Sequence, residues 1–145
     1  MVSPYPYLVS KNDHKVKLIK TTAYTEKEAD HKKYKKLTAN GGTLKSRFSA
    51  AADWSIFPVG TVLKINNHNY QVSDYGSALV KPLGSVPVVD IYQPSKSAMN
   101  EWGVRYFDNV EVVEWGNFHE SAKILQDRLK YAHCKTMYDR IQPKL

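Results

Sequence analysis

Residues 57–76 read FPVGTVLKINNHNYQVSDYG. Apolar and polar side chains alternate through TVLKI, an Asn-rich NNHN interrupts, and alternation resumes through YQVSD. A period of two marks a half-buried strand, so the stretch predicts a β-hairpin whose far end delivers Asp74. Three further runs carry the strand signal: VKLIKTTAY (16–24), SVPVVDIY (85–92) and DNVEVVEW (108–115). Between the last two, PSKSAMNEWG (94–103) predicts a short helix capped by Ser95, with Ala98, Met99 and Trp102 on one face and Gly103 as its stop. Many short strands with tight turns and one minor helix predict a small β-barrel over residues 16–116 rather than an alternating α/β sheet.

The flanks have a different texture. Residues 1–15 contain prolines beside tyrosines and few periodic apolar positions, which predicts an extended N-terminal arm. The charged TEKEADHKKYKK (25–36) suits a short helix or a loop, and TANGG (38–42) is a turn by composition. After Gly116 the period lengthens to about 3.6. Phe118, Ala122, Leu125, Leu129, Ala132, Met137 and Ile141 form one stripe, so residues 117–145 predict a C-terminal amphipathic helix of about six turns docked on the barrel. A chain of 145 residues, 42% of them hydrophobic, supports one core of this kind. Trp102 and Trp115 are expected to belong to that core.

Lys and Arg total 21 against 14 Asp and Glu, a formal charge of +7 that suits an anionic partner. The densest basic run, DHKKYKK (30–36), reads as a solvated loop, because no nucleic-acid-binding signature accompanies it; no nucleic-acid partner is expected. Cys134 is the single cysteine, which excludes an internal disulfide and a cysteine metal cluster. The five histidines (His14, His31, His68, His119, His133) form no i,i+4 pair, so neither a metal nor another cofactor is expected. No apolar run approaches the ~20 residues of a membrane span, and MVSPYPYLVS lacks the regions of a secretory signal. The expectation is a cytosolic protein, or a mature exported form whose signal gave way to a starting Met.

Three acids interrupt the β region at strand ends: Asp53, Asp74 and Asp90. Each follows small or apolar residues, where a carboxylate is costly to bury unless hydrogen-bonded or protonated. Brought together, their mutual repulsion would raise at least one pKa and keep a proton available near neutral pH, which is what a general acid requires.

In order along the chain stand TAY (22–24), TANG (38–41), Ala52-Asp53, FPVGT (57–61), Asp74 with Gly76 and Ala78, VDIY (89–92), Trp102-Gly103 and Val110-Glu111-Val112. This series resembles the 3D domain, named for three aspartates and shared with the membrane-bound lytic transglycosylase A type of peptidoglycan enzyme. The resemblance spans roughly residues 17–115 and implies a six-stranded double-psi β-barrel. It implies cleavage of the MurNAc-GlcNAc β-1,4 bond to 1,6-anhydroMurNAc products, with peptidoglycan glycan strands as partner and the bacterial cell envelope or periplasm as location. The family's acids correspond to Asp53, Asp74 and Asp90, with Asp74 as acid/base; Thr22, Tyr24, Tyr75, Gly76 and Ser77 are the expected substrate contacts. Tyr75, Ser77 and Leu79 stand where the family has Thr, Gly and Ile, and VKPLGSVPV lengthens the path to Asp90. TANG with PVGT is also similar to RlpA and barwin-type barrels, which implies the alternative of a non-catalytic glycan-binding module.

Overall fold

The computed structural model describes Tyr7, residues 14–25 and residues 48–145. Most of the N-terminal arm, the charged segment after Thr25 and the TANGG turn lie outside the described residues. Six strands close into a barrel: β1 (Lys15–Tyr24), β2 (Ser49–Ala51), β3 (Val62–Ile65), β4 (His68–Asp74), β5 (Val88–Tyr92) and β6 (Arg105–Glu114). Their order around the barrel is β1-β5-β2-β4-β3-β6. The β1/β5 and β2/β4 ladders are parallel and the other four are antiparallel.

The β3–β4 hairpin forms where the alternation predicts it, with a tighter turn. Ile65 pairs with His68, leaving Asn66 and Asn67 as a two-residue connection with φ of 51° and 65°. Two successive left-handed residues make a type I′ turn, whose twist matches that of the strands it joins. Asn tolerates this region better than most side chains. Inward positions follow the period of two: Leu63 and Ile65 are fully buried around exposed Lys64, and Val89 and Ile91 around Asp90. With Val16, Ile19, Val72, Val110 and Val112 they fill the barrel.

The helix α1 (Lys96–Trp102) matches its expected signals. The Ala98 amide donates to Ser95 Oγ at 3.1 Å, and Gly103 ends the helix with φ 62°. The single long C-terminal helix is corrected to two, α2 (Phe118–Gln126) and α3 (Ala132–Ile141). The chain instead turns at residues 127–131, where the Arg128 amide donates to the Leu125 carbonyl and the Tyr131 amide to the Arg128 carbonyl. Ala122 and Leu125 of α2, and Cys134, Met137 and Ile141 of α3, join the same buried cluster as the strands. Of the residues expected on the stripe, Leu129 falls in the turn and is half-buried, and Ala132 opens α3 and is exposed. No helix among the described residues is long and apolar enough to cross a membrane.

Candidate active site

Asp90 lies between Val89 and Ile91, both buried in the barrel, so strand geometry turns its carboxyl to the opposite face. On one side its register partner is Thr22 of β1; on the other it is Ala51 of β2. Ala51 in turn pairs with Asp74 of β4. Thr22, Asp90, Ala51 and Asp74 thus form one row across four strands. The two acids flank a methyl group, separated by two inter-strand steps of about 4.8 Å.

Asp74 reaches this row because of an irregularity in β4. Ala50 pairs with Val72 and Ala51 with Asp74, so Ser73 is an extra residue in that strand. Under strict alternation Asp74 would share the inward face of Val72, whereas one inserted residue moves it to the face of Ala51. Bulges of this kind recur where a side chain is re-aimed at a site.

Hydrogen bonds fix both carboxyls. The Thr22 hydroxyl donates to Asp90 Oδ1 at 2.7 Å, and the Tyr75 amide donates to Asp74 Oδ1 at 2.9 Å. Beside them Tyr24, Ala51, Leu79, Val88 and Tyr92 form a second buried cluster, with the Tyr24 and Tyr92 rings 5.6 Å apart. Burial holds the Tyr24 hydroxyl far above the usual phenol range, and the charges of Asp74 and Asp90 and the neighbouring Tyr92 push it further. Tyr24 therefore stays neutral at physiological pH, with its hydroxyl buried.

Of the three expected acids, the structure brings these two together and gives the third other partners. Asp53 is 2% exposed; its Oδ1 accepts from the Ser55 amide at 2.9 Å and the Ser55 hydroxyl at 2.6 Å. Its Oδ2 lies 3.6 Å from Arg140 Nη1 at the end of α3, and the Lys144 ammonium donates to the Ser55 carbonyl. Asp53 carbonyl also accepts from the Ile56 and Phe57 amides, which makes this acid the organiser of the turn after β2.

Tyr75 is half-buried, its ring edge-on to Trp54 at 5.0 Å and 5.6 Å from His133. Arg128 Nη1 donates to its hydroxyl at 2.9 Å. Gly76 is extended (φ −153°), and a methyl group there would meet only Leu79 at an ordinary 3.6 Å, so the fold does not demand a glycine. Ser77 is exposed at the start of a 3-10 turn (Ser77–Leu79). The sequence reading missed Trp54, whose indole N–H donates to the Asp74 carbonyl at 2.9 Å. It also missed Tyr92, although a period of two from Asp90 places Tyr92 on the acid's own face.

No protein-family model matches the chain, and no curated protein matches it at a significant level.

Proposed function

We propose that the chain is a peptidoglycan lytic transglycosylase on a double-psi β-barrel, with Asp74 as its single acid/base. The observation that carries this reading is the row in which Asp74 and Asp90 flank Ala51 on one face beside Tyr24. Two parallel ladders set among antiparallel ones support the double-psi topology, since parallel neighbours in so small a barrel need crossover connections.

The reaction asks little of the protein. Asp74, protonated, gives its proton to the bridging oxygen as the bond from that oxygen to C1 of the muramic sugar breaks. The sugar's own 6-hydroxyl forms the new bond to C1 and returns its proton to the carboxylate, so one group serves as acid and then base. The attack is intramolecular, with effective molarities of order 10⁵ M or more when the ring is held. The negative charge of Asp90 favours the proton on Asp74, and Thr22 orients Asp90. This chemistry needs neither metal nor cofactor, and a periplasmic or cell-envelope location follows from the substrate. Residues such as Ser77 and Gly76 contact the glycan, the missing side chain of Gly76 allowing its close approach.

A specific observation favours a second reading, a non-catalytic glycan-binding barrel: Asp53 and Tyr75, two of the expected site residues, are engaged by the C-terminal helices. Mass spectrometry of purified sacculi after incubation separates the two. The enzyme releases 1,6-anhydro-muropeptides, and Asp74→Asn abolishes that release while retaining the wild-type circular dichroism and melting temperature. Wild-type protein that sediments with sacculi but releases nothing soluble selects the binding module.

A further inference from the structure

The helical hairpin formed by α2 and α3 grips the chain on both sides of Asp74. Before it, the Trp54 amide donates to Met137 Sδ at 3.4 Å, and Asp53 meets Arg140. After it, Arg128, in the turn between the helices, donates to the Tyr75 hydroxyl and lies over the ring, with its guanidinium carbon 5.7 Å from the centroid. Further on, Arg140 Nη1 donates to the Lys81 carbonyl at 2.9 Å. Trp54 and Tyr75 close the circuit by packing edge to face.

We infer that this hairpin positions the reacting carboxyl through Tyr75, whose side chain it clamps and whose amide donates to Asp74 Oδ1. The inference rests on the proposed reaction for its kinetic consequence, but its structural core does not. A residue's amide direction follows from its backbone, and the Tyr75 backbone is fixed by a ring held between Trp54, His133 and Arg128. The Asp74 carbonyl is held from the same side by the Trp54 indole. Tyr75 is thus a positioning residue, not a sugar contact, and Arg128 acts one step further back.

The physical lever is the hydrogen bond to the ionised carboxylate. An amide aimed at Oδ1 favours the charged form, and a loosened amide favours it less. The Tyr75 amide bonds Asp74 directly, Asp90 stands across Ala51 from it, and the charge of Asp74 is felt at Tyr24 of β1.

The test uses the full-length chain and two readouts. Carbon-13 NMR titration of the aspartate side chains is run on wild type, Tyr75→Phe, Tyr75→Ala and Arg128→Ala. Tyr75→Ala and Arg128→Ala raise the Asp74 pKa by about half a unit or more, a part of the roughly two units that two or three backbone donors confer on a carboxylate. Tyr75→Phe, which keeps the contact with Trp54, falls between them and wild type. On sacculi, Tyr75→Ala lowers kcat by about ten- to a hundredfold with KM within about twofold, as misplacement by a distant substitution does. Melting temperatures that fall with no movement of the Asp74 titration overturn the inference, as does a raised KM with unchanged kcat, which would make Tyr75 a substrate contact. Wild-type protein inert on sacculi removes the proposed reaction but leaves the titration to decide the positioning role.

Discussion

Asp53 shows that one residue type serves two ends in this barrel. Its carboxyl is pushed above the usual range, first by burial; the Ser55 hydroxyl and amide, Arg140 and Lys144 oppose the shift without cancelling it. A raised folded-state pKa means the native state holds the proton more tightly than the unfolded chain. The contribution to stability is therefore greatest below the ordinary carboxyl pKa and declines as pH rises through the folded value. Asp53→Asn removes that titration. Urea unfolding at a series of pH values from about 3 to about 7 should show the wild type losing ground to the Asn variant as pH rises. Parallel pH profiles would mean that the Ser55 hydrogen bonds and the two cations cancel the effect of burial, and a wild type that gains on the variant would mean that they outweigh it. The pair of Asp74 and Asp90 stands apart from this: their charges act on Tyr24, and those of Arg140 and Lys144 act on Asp53.

At the level of elements, the hairpin turn offers the sharpest prediction. Asn66 and Asn67 both take left-handed backbone angles, a region that costs a side-chain-bearing residue about 1 kcal/mol and glycine almost nothing. Asn67→Gly should thus stabilise the protein by several tenths to about 1 kcal/mol, and Asn67→Val should destabilise it by more, because a β-branched side chain fits that region worst. Denaturant midpoints at constant m-value measure both. The hairpin was legible in the chain because a period of two on either side of an Asn-rich separator has few other solutions. The route by which it delivers Asp74 was not. YQVSD alternates without a break, so the pattern places Asp74 on the face of Val72, and only pairing with β2 shows that Ser73 is surplus. A bulge is a relation between two strands and leaves no mark in one. The helix break is hidden for a similar reason: the stripe keeps its period through Leu125, Leu129 and Ala132, so nothing in it marks the turn at residues 127–131. Of the acids, the motif order singled out all three, but the charged partners of Asp53 lie 87 residues or more along the chain, at Arg140 and Lys144, beyond the reach of a local pattern.

On the scale of the molecule, barrel and hairpin are one cooperative body. Leu125, Met137 and Ile141 are as fully buried as Leu63, Ile65 and Ile91, and all six belong to one apolar cluster. The polar joints run the same way. The Val59 amide donates to Ser121 Oγ at 2.9 Å, and the Asn117 amide donates to the Val59 carbonyl at 3.0 Å. Gly116 makes the approach possible, since a methyl group there would lie 2.5 Å from the Pro58 carbonyl oxygen and the Thr61 nitrogen. Two bodies sharing a core in this way have no low-energy state in which one is unfolded, because parting them would expose Trp54 and Phe57 together with the inner faces of α2 and α3. Leu125→Ala should accordingly destabilise the whole protein as Leu63→Ala does, each by about 2–5 kcal/mol. Unfolding followed by tryptophan fluorescence, which reports Trp54, Trp102 and Trp115 near the barrel, and by helical circular dichroism should give coincident transitions in wild type and in both variants. A Leu125→Ala protein that loses helical signal before fluorescence changes would separate the hairpin from the barrel. Positioning of Asp74 through Tyr75 would then rest on a part able to come away by itself.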